Sequence, residues 1–483
     1  MSKWQTGIVA AVVSAAAMVP LGWSVRLTHA KADAEVKPKL PEKLDLDALD
    51  RYVAATVKEK GFVGLSLAIV RDGKIVLAKG YGESSIEDHV PVDADTAFGI
   101  GSVTKQFTCA AALMLADEGK LSFDDKVARF FPKLSRAADV AVGDLAAHVS
   151  GYPDYYPLDF VDDRLRHPIT ADDILARYAS GKLDFEPGTR WSYSNTGYIL
   201  LGRILERVTL EPLGTLFEQR IFTPFHLLHV AYEPKAGTKG LAQGYETFAL
   251  GAHERAEREA PGWLGAAGGI YATPTDLAKW DLALMDGKVV TGDALRRMST
   301  PRTLADGRNT GYACGLVVSQ RRRETVFSHG GEVNGFLARN VMIPRLRSAV
   351  IALSNDLASD PHDLTDEILD LLLKDREPAT PPVAGPPAKD VARALVAQLQ
   401  SGALDRAAIG ADFSAYVSDG RAKAAAAALA PLGSPKTVEL ESTSERGGME
   451  ATRLKIVFEK QKLGATMLRS TDGKVQEFLL EKD

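Results

Sequence analysis

The sequence predicts an α+β protein with two folded units. The larger is an antiparallel sheet flanked by helices, with a helical subdomain at one edge, and the smaller is an α+β domain at the C-terminal end. Three observations support this: strand patterns at 63–78 and 315–353 enclose a long helical stretch, five prolines lie within 377–387, and strand patterns return beyond them. At 483 residues the chain also exceeds the size at which single cores usually stop growing.

The larger unit begins with a predicted helix at 46–60 and a strand pair at 63–70 and 75–78, joined by a tight Asp-Gly turn. The stretch 96–285 is mostly helical in pattern. Four strand patterns and an amphipathic helix follow, at 315–319, 325–328, 336–343, 348–353 and 363–373. Because strands on either side of so long an insert must pair across it, we expect an antiparallel sheet with a cleft between sheet and helical subdomain.

The prolines predict a linker, because they stiffen the backbone and prevent a helix or a central strand. Two helices and four strands are predicted beyond it, at 391–400, 421–429, 437–441, 452–458, 464–468 and 475–480. The predicted organisation is an N-terminal segment, a main domain, a linker and a small accessory domain, at 1–34, 44–375, 376–388 and 389–483.

The N-terminal segment has the pattern of an export signal. Lys3 precedes an apolar run at 7–23, and small-residue sites follow at 30–32 and 32–34. The run is slightly short for a membrane span, which needs about 20 residues. We therefore expect an exported protein, periplasmic or extracellular, whose segment is either a cleaved signal peptide or an N-terminal membrane anchor.

Composition excludes several partners. A formal net charge of -5 provides no basic excess for binding nucleic acid. His226, His229 and His253 lack metal-ligand spacing with carboxylates, so the sequence predicts no metal and no cofactor. Cys109 and Cys314 are too few for a disulfide framework, and Cys109 is interpreted as a small core residue with an inert thiol.

A serine and a lysine lie one helical turn apart at the start of an apolar helix. Ser102 is a favourable N-cap residue and Gly119 a favourable stop, which predicts a helix at 103–118. Side chains three positions apart share a helix face, so the Lys105 ammonium can reach the Ser102 hydroxyl and help to activate it. The alternative is an ordinary N-cap serine beside an unrelated lysine, since Ser-x-x-Lys recurs by chance about once or twice in such a chain.

Tyr193 and Asn195 follow a Pro-Gly turn and precede an apolar helix pattern at 198–204. The phenol can transfer a proton, and the amide can bind both a lysine ammonium and a substrate carbonyl. The alternative is a tyrosine that packs with its hydroxyl satisfied and an asparagine that caps the helix.

A third motif stands at the end of a predicted strand and reads Ser328-His329-Gly330-Gly331-Glu332. Its paired glycines allow a substrate to approach the backbone closely. The alternatives are a hairpin turn for the glycines and a surface or core role for the histidine.

Together and in this order, the three motifs resemble the serine β-lactamase and penicillin-binding-protein superfamily, specifically its class C-like branch. That branch includes class C β-lactamases, DD-peptidases, D-aminopeptidases and β-lactamase-like esterases. Segments 144–151 and 268–273 fit as well, and the likeness covers about 46–373. The resemblance implies the β-lactamase/transpeptidase fold for the main domain.

The resemblance also implies roles for individual residues. Ser102 becomes the nucleophile, Lys105 its hydrogen-bonded activator and Tyr193 the proton shuttle to the leaving group. The oxyanion hole becomes the backbone N–H groups of Ser102 and Glu332. The implied substrate-binding residues are Asn195, His329, Gly330, Gly331 and Glu332.

His329 departs from the pattern, because β-lactamases of this branch carry the lysine of Lys-Thr-Gly there. A histidine with a pKa of about 6.5 is mostly neutral at pH 7. Without that second lysine Tyr193 is harder to ionise, so acylation is expected to rise with pH into the alkaline range. We predict a serine hydrolase that forms an acyl-enzyme with a D-residue peptide or a small ester. The alternatives are a β-lactamase proper and a slowly deacylating penicillin-binding or sensor protein.

Overall fold

The computed structural model describes residues 38–156, 161–235, 237–249, 251–290, 292–374 and 380–482. The predicted export segment at 1–34 lies outside these residues. Within them, no helix combines the length and the apolar character needed to cross a membrane.

The described part of the chain contains the predicted helices and strands in the expected order, with further short elements both before β9 and in the C-terminal region. The α-helices are α1 (Leu46–Lys60), α2 (Thr104–Asp117), α3 (Val142–Ala146), α4 (Ala171–Tyr178), α5 (Asn195–Thr209), α6 (Leu213–Phe217), α7 (Gly265–Gly268), α8 (Pro274–Met285), α9 (Gly292–Ser299), α10 (His362–Lys374), α11 (Ala388–Ser401), α12 (Ala411–Tyr416) and α13 (Asp419–Leu429). The strands are β1 (Gly64–Arg71), β2 (Lys74–Ser85), β3 (Val90–Pro91), β4 (Phe98–Gly99), β5 (Ala231–Tyr232), β6 (Tyr245–Glu246), β7 (Glu254–Arg255), β8 (Ile270–Ala272), β9 (Val317–Arg321), β10 (Glu324–Val333), β11 (Phe336–Ile343), β12 (Ser348–Ser354), β13 (Thr437–Arg446), β14 (Met449–Val457), β15 (Lys462–Arg469) and β16 (Val475–Lys482).

A seven-stranded sheet organises the main domain, in the order β3-β2-β1-β12-β11-β10-β9. Its neighbouring strands pair antiparallel. β1 and β12 are direct neighbours, with Leu65 opposite Ser354, although the whole helical insert separates them in sequence. The predicted fold class is confirmed.

Both faces of the central strands β1 and β12 are buried, which explains why their sequences are mostly apolar. Along β1, Leu67 and Ile69 belong to the core shared with α1 and α10. Ala68 and Val70 alternate with them and belong to the core of the helical subdomain. Alternate side chains of the strand therefore pack against the terminal helices on one face of the sheet and against the helical insert on the other.

The helix that follows Ser102 begins later than the sequence predicts. Ser102 lies in a short 3-10 helix, Gly101–Val103, and α2 begins at Thr104 without a side-chain cap. The prediction of Ser102 as N-cap is therefore wrong, because its hydroxyl is occupied by other side chains of the site. The insert also contains short strands that its helical pattern does not reveal, notably β4, β8 and β5, which form a three-stranded sheet.

Cys109 and Cys314 form a disulfide bond between α2 and the segment that leads into β9. The interpretation of Cys109 as a free, inert thiol is wrong. The two residues are 205 positions apart, and the packing of the helical subdomain against the segment before β9 brings their Cα atoms to 5.6 Å. Both cysteines are buried.

The C-terminal region has its own antiparallel sheet, in the order β13-β14-β15-β16, and its own core shared with α11 to α13. Residues 380–387 form neither helix nor strand. Ala384 N–H donates to the Thr471 carbonyl, and the Arg469 guanidinium donates to the Pro386 carbonyl. The described part of the proline-rich segment is therefore fastened to the C-terminal sheet.

Candidate active site

A cleft of about 440 Å³ lies between strands β10 and β11 and the helical subdomain. Ser102 lines it from the 3-10 turn before α2. Tyr193 and Asn195 face it from the start of α5, and residues 329–332 form its other wall. The three motifs, which are far apart in sequence, therefore contribute to one cleft.

Lys105 is fully buried beneath Ser102 and has three hydrogen-bond acceptors. Its Nζ donates to Ser102 Oγ at 2.9 Å, to Asn195 Oδ1 at 2.8 Å and to the Ala267 carbonyl at 2.8 Å. Burial lowers the pKa of Lys105 to about 7, and the negative charge of Asp154 acts in the opposite direction. Both the ammonium and the neutral amine are therefore accessible near neutral pH.

Tyr193 approaches the same hydroxyl from the other side. Its Oη donates to Ser102 Oγ at 2.7 Å, and its ring centroid lies 4.8 Å from Lys105 Nζ. Burial raises the pKa of Tyr193, although its hydrogen bond to Ser102 acts in the opposite direction. The side chain is therefore a phenol at neutral pH, and a proton donor.

Asn195 is oriented by Asp154, which sequence reasoning missed. Asp154 accepts hydrogen bonds from the backbone N–H of Asn195 at 2.9 Å and from its Nδ2 at 3.3 Å. The amide oxygen is thereby directed at Lys105. Ser194, rather than Asn195, caps α5 by accepting from Gly197 N–H. The available signal was a single carboxylate within an otherwise glycine-, proline- and tyrosine-rich loop at 151–156.

His329 is buried on the opposite wall and is neutral. Its Nδ1–H donates to the Gly330 carbonyl at 2.5 Å, so Nε2 accepts from the Tyr312 hydroxyl at 2.8 Å. Burial and the nearby charge of Lys105 lower the pKa of His329 to about 3. Tyr312 was not identified from sequence, because nothing near position 312 marks it as part of a site.

Two glycines allow the serine turn to pack directly on β10. A Cβ atom on Gly331 would lie 2.0 Å from the Ile100 carbonyl oxygen. Gly101 has a φ of +47°, and a Cβ atom there would lie 2.5 Å from Glu332 N. The sequence predicts that the glycines at 330 and 331 allow a substrate to approach the backbone. The structure adds a second reason for glycine at position 331, because the backbone of the serine turn packs directly against it.

The predicted site residues therefore lie in or directly beneath the same cleft. Lys105 lies beneath the cleft and bonds to two of its residues, while the others line it: Ser102, Tyr193, Asn195, His329, Gly330, Gly331 and Glu332. Within the described ranges, no group of three or more His, Cys, Asp or Glu side chains is placed to hold a metal ion.

A family model described as Beta-lactamase matches residues 49–374, more than half of the chain. The chain therefore belongs to the beta-lactamase family, and its resemblance to the serine β-lactamase and penicillin-binding-protein superfamily is confirmed.

Among the individual relatives of this chain are D-aminopeptidases. The chain is 28% identical over 317 residues to a D-aminopeptidase from Brucella anthropi, covering 65% of this chain and 60% of that protein. It spans about 60% of the length of the curated relatives it matches.

Solved structures with the same fold include a D-stereospecific amidohydrolase from Streptomyces sp., with a TM-score of 0.59 and 25% identity over 67% of this chain and 98% of that one. The octameric penicillin-binding protein homologue from Pyrococcus abyssi has a TM-score of 0.61 and 24% identity, over 91% of this chain and 100% of that one. The latter likeness concerns the fold alone, and it extends beyond residue 374.

Proposed function

We propose that this protein is a serine hydrolase that cleaves an amide or ester bond next to a D-residue through an acyl-enzyme on Ser102. The observation that carries the proposal is the convergence of Lys105 Nζ and Tyr193 Oη on Ser102 Oγ, at 2.9 and 2.7 Å. A serine hydroxyl becomes a useful nucleophile only when a base is in hydrogen-bond contact with it.

In acylation, the neutral amine of Lys105 takes the proton of Ser102 as Oγ attacks the substrate carbonyl. Because burial brings the pKa of Lys105 to about 7, this amine is present at neutral pH. Tyr193 donates its phenolic proton to the leaving nitrogen or oxygen. The resulting phenolate is stabilised by the newly formed Lys105 ammonium, which lies 4.8 Å from the ring centroid, and it regains its proton from that ammonium.

In deacylation, water takes the place of the leaving group and the same groups act in reverse. Water loses a proton to the Lys105 and Tyr193 pair, and Ser102 recovers one as the ester bond breaks. The backbone N–H groups of Ser102 and Glu332 are the proposed donors to the oxyanion. The close packing at Gly101 and Gly331 supports this role, because it brings the backbone around Ser102 into contact with the backbone around Glu332.

The proposed substrate is a small peptide, amide or ester of a D-residue. The relatives named D-aminopeptidase and D-stereospecific amidohydrolase support this class. The neutral His329 supports it as well, because β-lactam hydrolysis in this branch relies on a cation at that position for the drug's carboxylate. A peptidase or amidase role is therefore favoured over a β-lactamase.

We also propose that the protein is exported to the periplasm or the extracellular space. The apolar run at 7–23 followed by small-residue sites supports export. The disulfide between Cys109 and Cys314 supports it independently, because disulfides persist in oxidising compartments. Cell fractionation with N-terminal sequencing tests this: a full-length protein in the cytoplasmic fraction would contradict it, and one in the membrane fraction would indicate a retained anchor.

The catalytic proposal is tested with D-alanine and L-alanine p-nitroanilides, a neutral ester and a penicillin, with intact-mass measurements over time. We expect Ser102-dependent turnover of the D-anilide above the L-anilide, with Ser102→Ala as the inactive control. A stable penicilloyl adduct without turnover of the anilides or the ester would instead identify a sensor. Rapid penicillin release with inert anilides would identify a β-lactamase.

A further inference from the structure

We propose that His148 is a positioning residue for Tyr193, holding its phenol against Ser102 through contacts with the backbone on both sides and with the ring. The inference rests on the proposed function, since it assigns Tyr193 the proton transfer to the leaving group. His148 itself touches neither Ser102 nor Lys105 through any described hydrogen bond, so its role is to orient another side chain.

The backbone contacts bracket Tyr193. Ser192 N–H donates to the His148 carbonyl at 3.0 Å, and Ser194 N–H donates to His148 Nδ1 at 3.1 Å. The residues immediately before and after the tyrosine are thus both bound by one residue. With both neighbours held, the Cα position of Tyr193 is held as well.

The imidazole also packs on the phenol ring. The centroids of His148 and Tyr193 lie 4.2 Å apart, with an interplanar angle of 35°. Tyr312 and Tyr198 enclose the imidazole from other directions, with centroids at 4.6 and 5.1 Å. His148 is only 1% exposed, so its ring is confined by packing.

The hydrogen bond from Ser194 determines the tautomer of His148. A backbone N–H can only donate, so Nδ1 is the acceptor and the proton resides on Nε2. Nε2 has no hydrogen-bond partner among the residues that the structure describes. Burial, followed by the charge of Lys105, lowers the pKa of His148 well below its ordinary value, so the ring remains a neutral acceptor.

The backbone of His148 is unusual and fits this role. Its φ is +59°, in the left-handed region that few residues other than glycine adopt, with asparagine, aspartate and histidine the commoner exceptions. In this conformation the carbonyl and the imidazole both reach the segment 192–194. A residue that lacks a side-chain acceptor can make only the first of these two contacts.

The test compares two substitutions that both tolerate a positive φ. His148→Gly keeps the backbone but removes the acceptor and the ring, whereas His148→Asn keeps an acceptor oxygen near the position of Nδ1. We expect His148→Gly to lower kcat on D-alanine p-nitroanilide by about 100-fold, the effect of a misplacement of about 1 Å. KM should stay within about threefold, because binding of the ground state is unaffected. His148→Asn should recover at least about tenfold of the lost kcat.

Leu371→Ala is the matched control for lost stability. Leu371 is buried in α10, in the core on the other side of the sheet. A variant that is destabilised at this distance should keep its kcat when assayed below its unfolding temperature. If His148→Gly does not fold, His148→Gln replaces it, because a glutamine amide reaches the Nε2 position and leaves Ser194 N–H without its acceptor. Glutamine tolerates the positive φ less well than asparagine does, so each variant is assayed below its own unfolding temperature. There the asparagine variant should exceed the glutamine variant by about tenfold in kcat.

The outcomes separate this inference from the function on which it rests. Failure of a fluorophosphonate to label Ser102 in the wild type would overturn the proposed function and this inference with it. Normal labelling and turnover in the wild type, together with wild-type kcat in folded His148→Gly, would overturn only the positioning role. Equal losses of kcat in the asparagine and glycine variants would also overturn it.

Discussion

The two walls of the cleft bury their ionisable groups to a similar extent but with opposite consequences. On the helical side, burial lowers the pKa of Lys105 from its ordinary range to about 7. On the sheet side, burial lowers the pKa of His329 to about 3. The ordinary pKa of a lysine is about 10.4 and that of a histidine about 6.5. Desolvation therefore brings the pKa of Lys105 close to neutral pH and moves the pKa of His329 away from it. Of these two groups, only Lys105 can exchange a proton near neutral pH.

The hydrogen-bond partners of the two walls differ in the same sense. Lys105 has three acceptors, a set that suits an ammonium and still serves an amine. His329 has one acceptor and one donor, the Gly330 carbonyl and the Tyr312 hydroxyl, a set that suits only the neutral ring. Under the proposed mechanism, we therefore expect the helical wall to supply proton transfer and the sheet wall to supply shape and backbone donors.

Replacing the lysine should have the largest effect. Lys105→Met removes the base but keeps most of the side-chain volume, and we expect kcat/KM on D-alanine p-nitroanilide to fall by at least about 10³-fold. Steady-state kinetics with circular dichroism as the check on folding measure this. Lys126→Met is the control, since Lys126 is exposed and donates only to the Asp139 carbonyl in the hydrogen bonds of the structure. Near-normal activity in Lys105→Met would remove the lysine as base.

The pH profile should show a change of at least about tenfold across neutrality. The reactive form is the neutral amine, so kcat/KM should rise with pH through about 7 and reach a plateau above it. The sequence alone predicts a rise at alkaline pH, because it places the limiting ionisation on Tyr193. A profile that rises only above pH 9 would support that earlier expectation and contradict Lys105 as base.

Stability should follow the same ionisation. The pKa of Lys105 is about 7 when folded and about 10.4 when unfolded, so between these values the unfolded chain binds more protons. The free energy of unfolding contributed by this group therefore rises with pH, by up to about 1.4 kcal/mol per pH unit. Urea unfolding of the wild type and Lys105→Met at pH 7.5 and 9.5 isolates the contribution. Equal pH dependence in both proteins would show that Lys105 keeps an ordinary pKa.

Loosening the support of the helical wall should have an intermediate effect. Asp154→Asn keeps the size of the side chain but replaces one acceptor oxygen by an N–H donor, which cannot accept from Asn195. We expect kcat/KM to fall between about 10- and 100-fold as the amide loses its orientation. The removal of the negative charge should also lower the pKa of Lys105 and shift the kinetic profile to lower pH. A loss of activity without that shift would mean that Asp154 acts through geometry alone.

Changing the sheet wall should have a smaller effect on neutral substrates. In His329→Gln the amide oxygen can accept from Tyr312, so kcat/KM on a neutral ester should stay within about threefold. His329→Lys places a second cation near Tyr193 and Lys105, which should shift the pH profile to lower pH and improve reaction with a penicillin relative to the ester. If neither change occurs in the lysine variant, position 329 does not set the electrostatics of the cleft.

Removing residues 389–483 should have the smallest effect. The C-terminal region has a separate core, and none of the residues that line the cleft belong to it. We expect the truncated protein to form the acyl-enzyme at a rate within about twofold of the full chain, measured by fluorophosphonate labelling. A folded truncated protein that loses labelling would contradict the predicted boundary at 376–388.

The fold was largely predictable, because its main elements carry strong local signals. The strands β1 and β12 are mostly apolar, and the helices α1 and α10 show amphipathic periodicity, so their positions agree with the prediction to within a few residues. The short strands within the insert were missed, since two or three residues carry no detectable period. Their pairing depends on distant partners, such as Phe98 opposite Ala272.

Within the site, the residues recognisable from sequence are those whose spacing or motif has chemical meaning. Ser102 and Lys105 are one turn apart, and Tyr193 and Asn195 stand together before a helix. Asp154, His148 and Tyr312 were not identified, because each acts through a neighbour that is distant in sequence. Asp154 is 41 positions from Asn195, and His148 is 46 positions from Ser194.

The sequence by itself determined the class of fold, the order of the elements and the chemical identity of the reactive groups. These properties follow from local periodicity and from the side chains themselves. Only the tertiary structure decided the disulfide between Cys109 and Cys314 and the burial that lowers the pKa values of Lys105 and His329. It also decided the hydrogen bonds by which His148 binds both neighbours of Tyr193. The physical reason is that desolvation, hydrogen-bond orientation and disulfide pairing depend on which distant segments come together, and no local pattern records that.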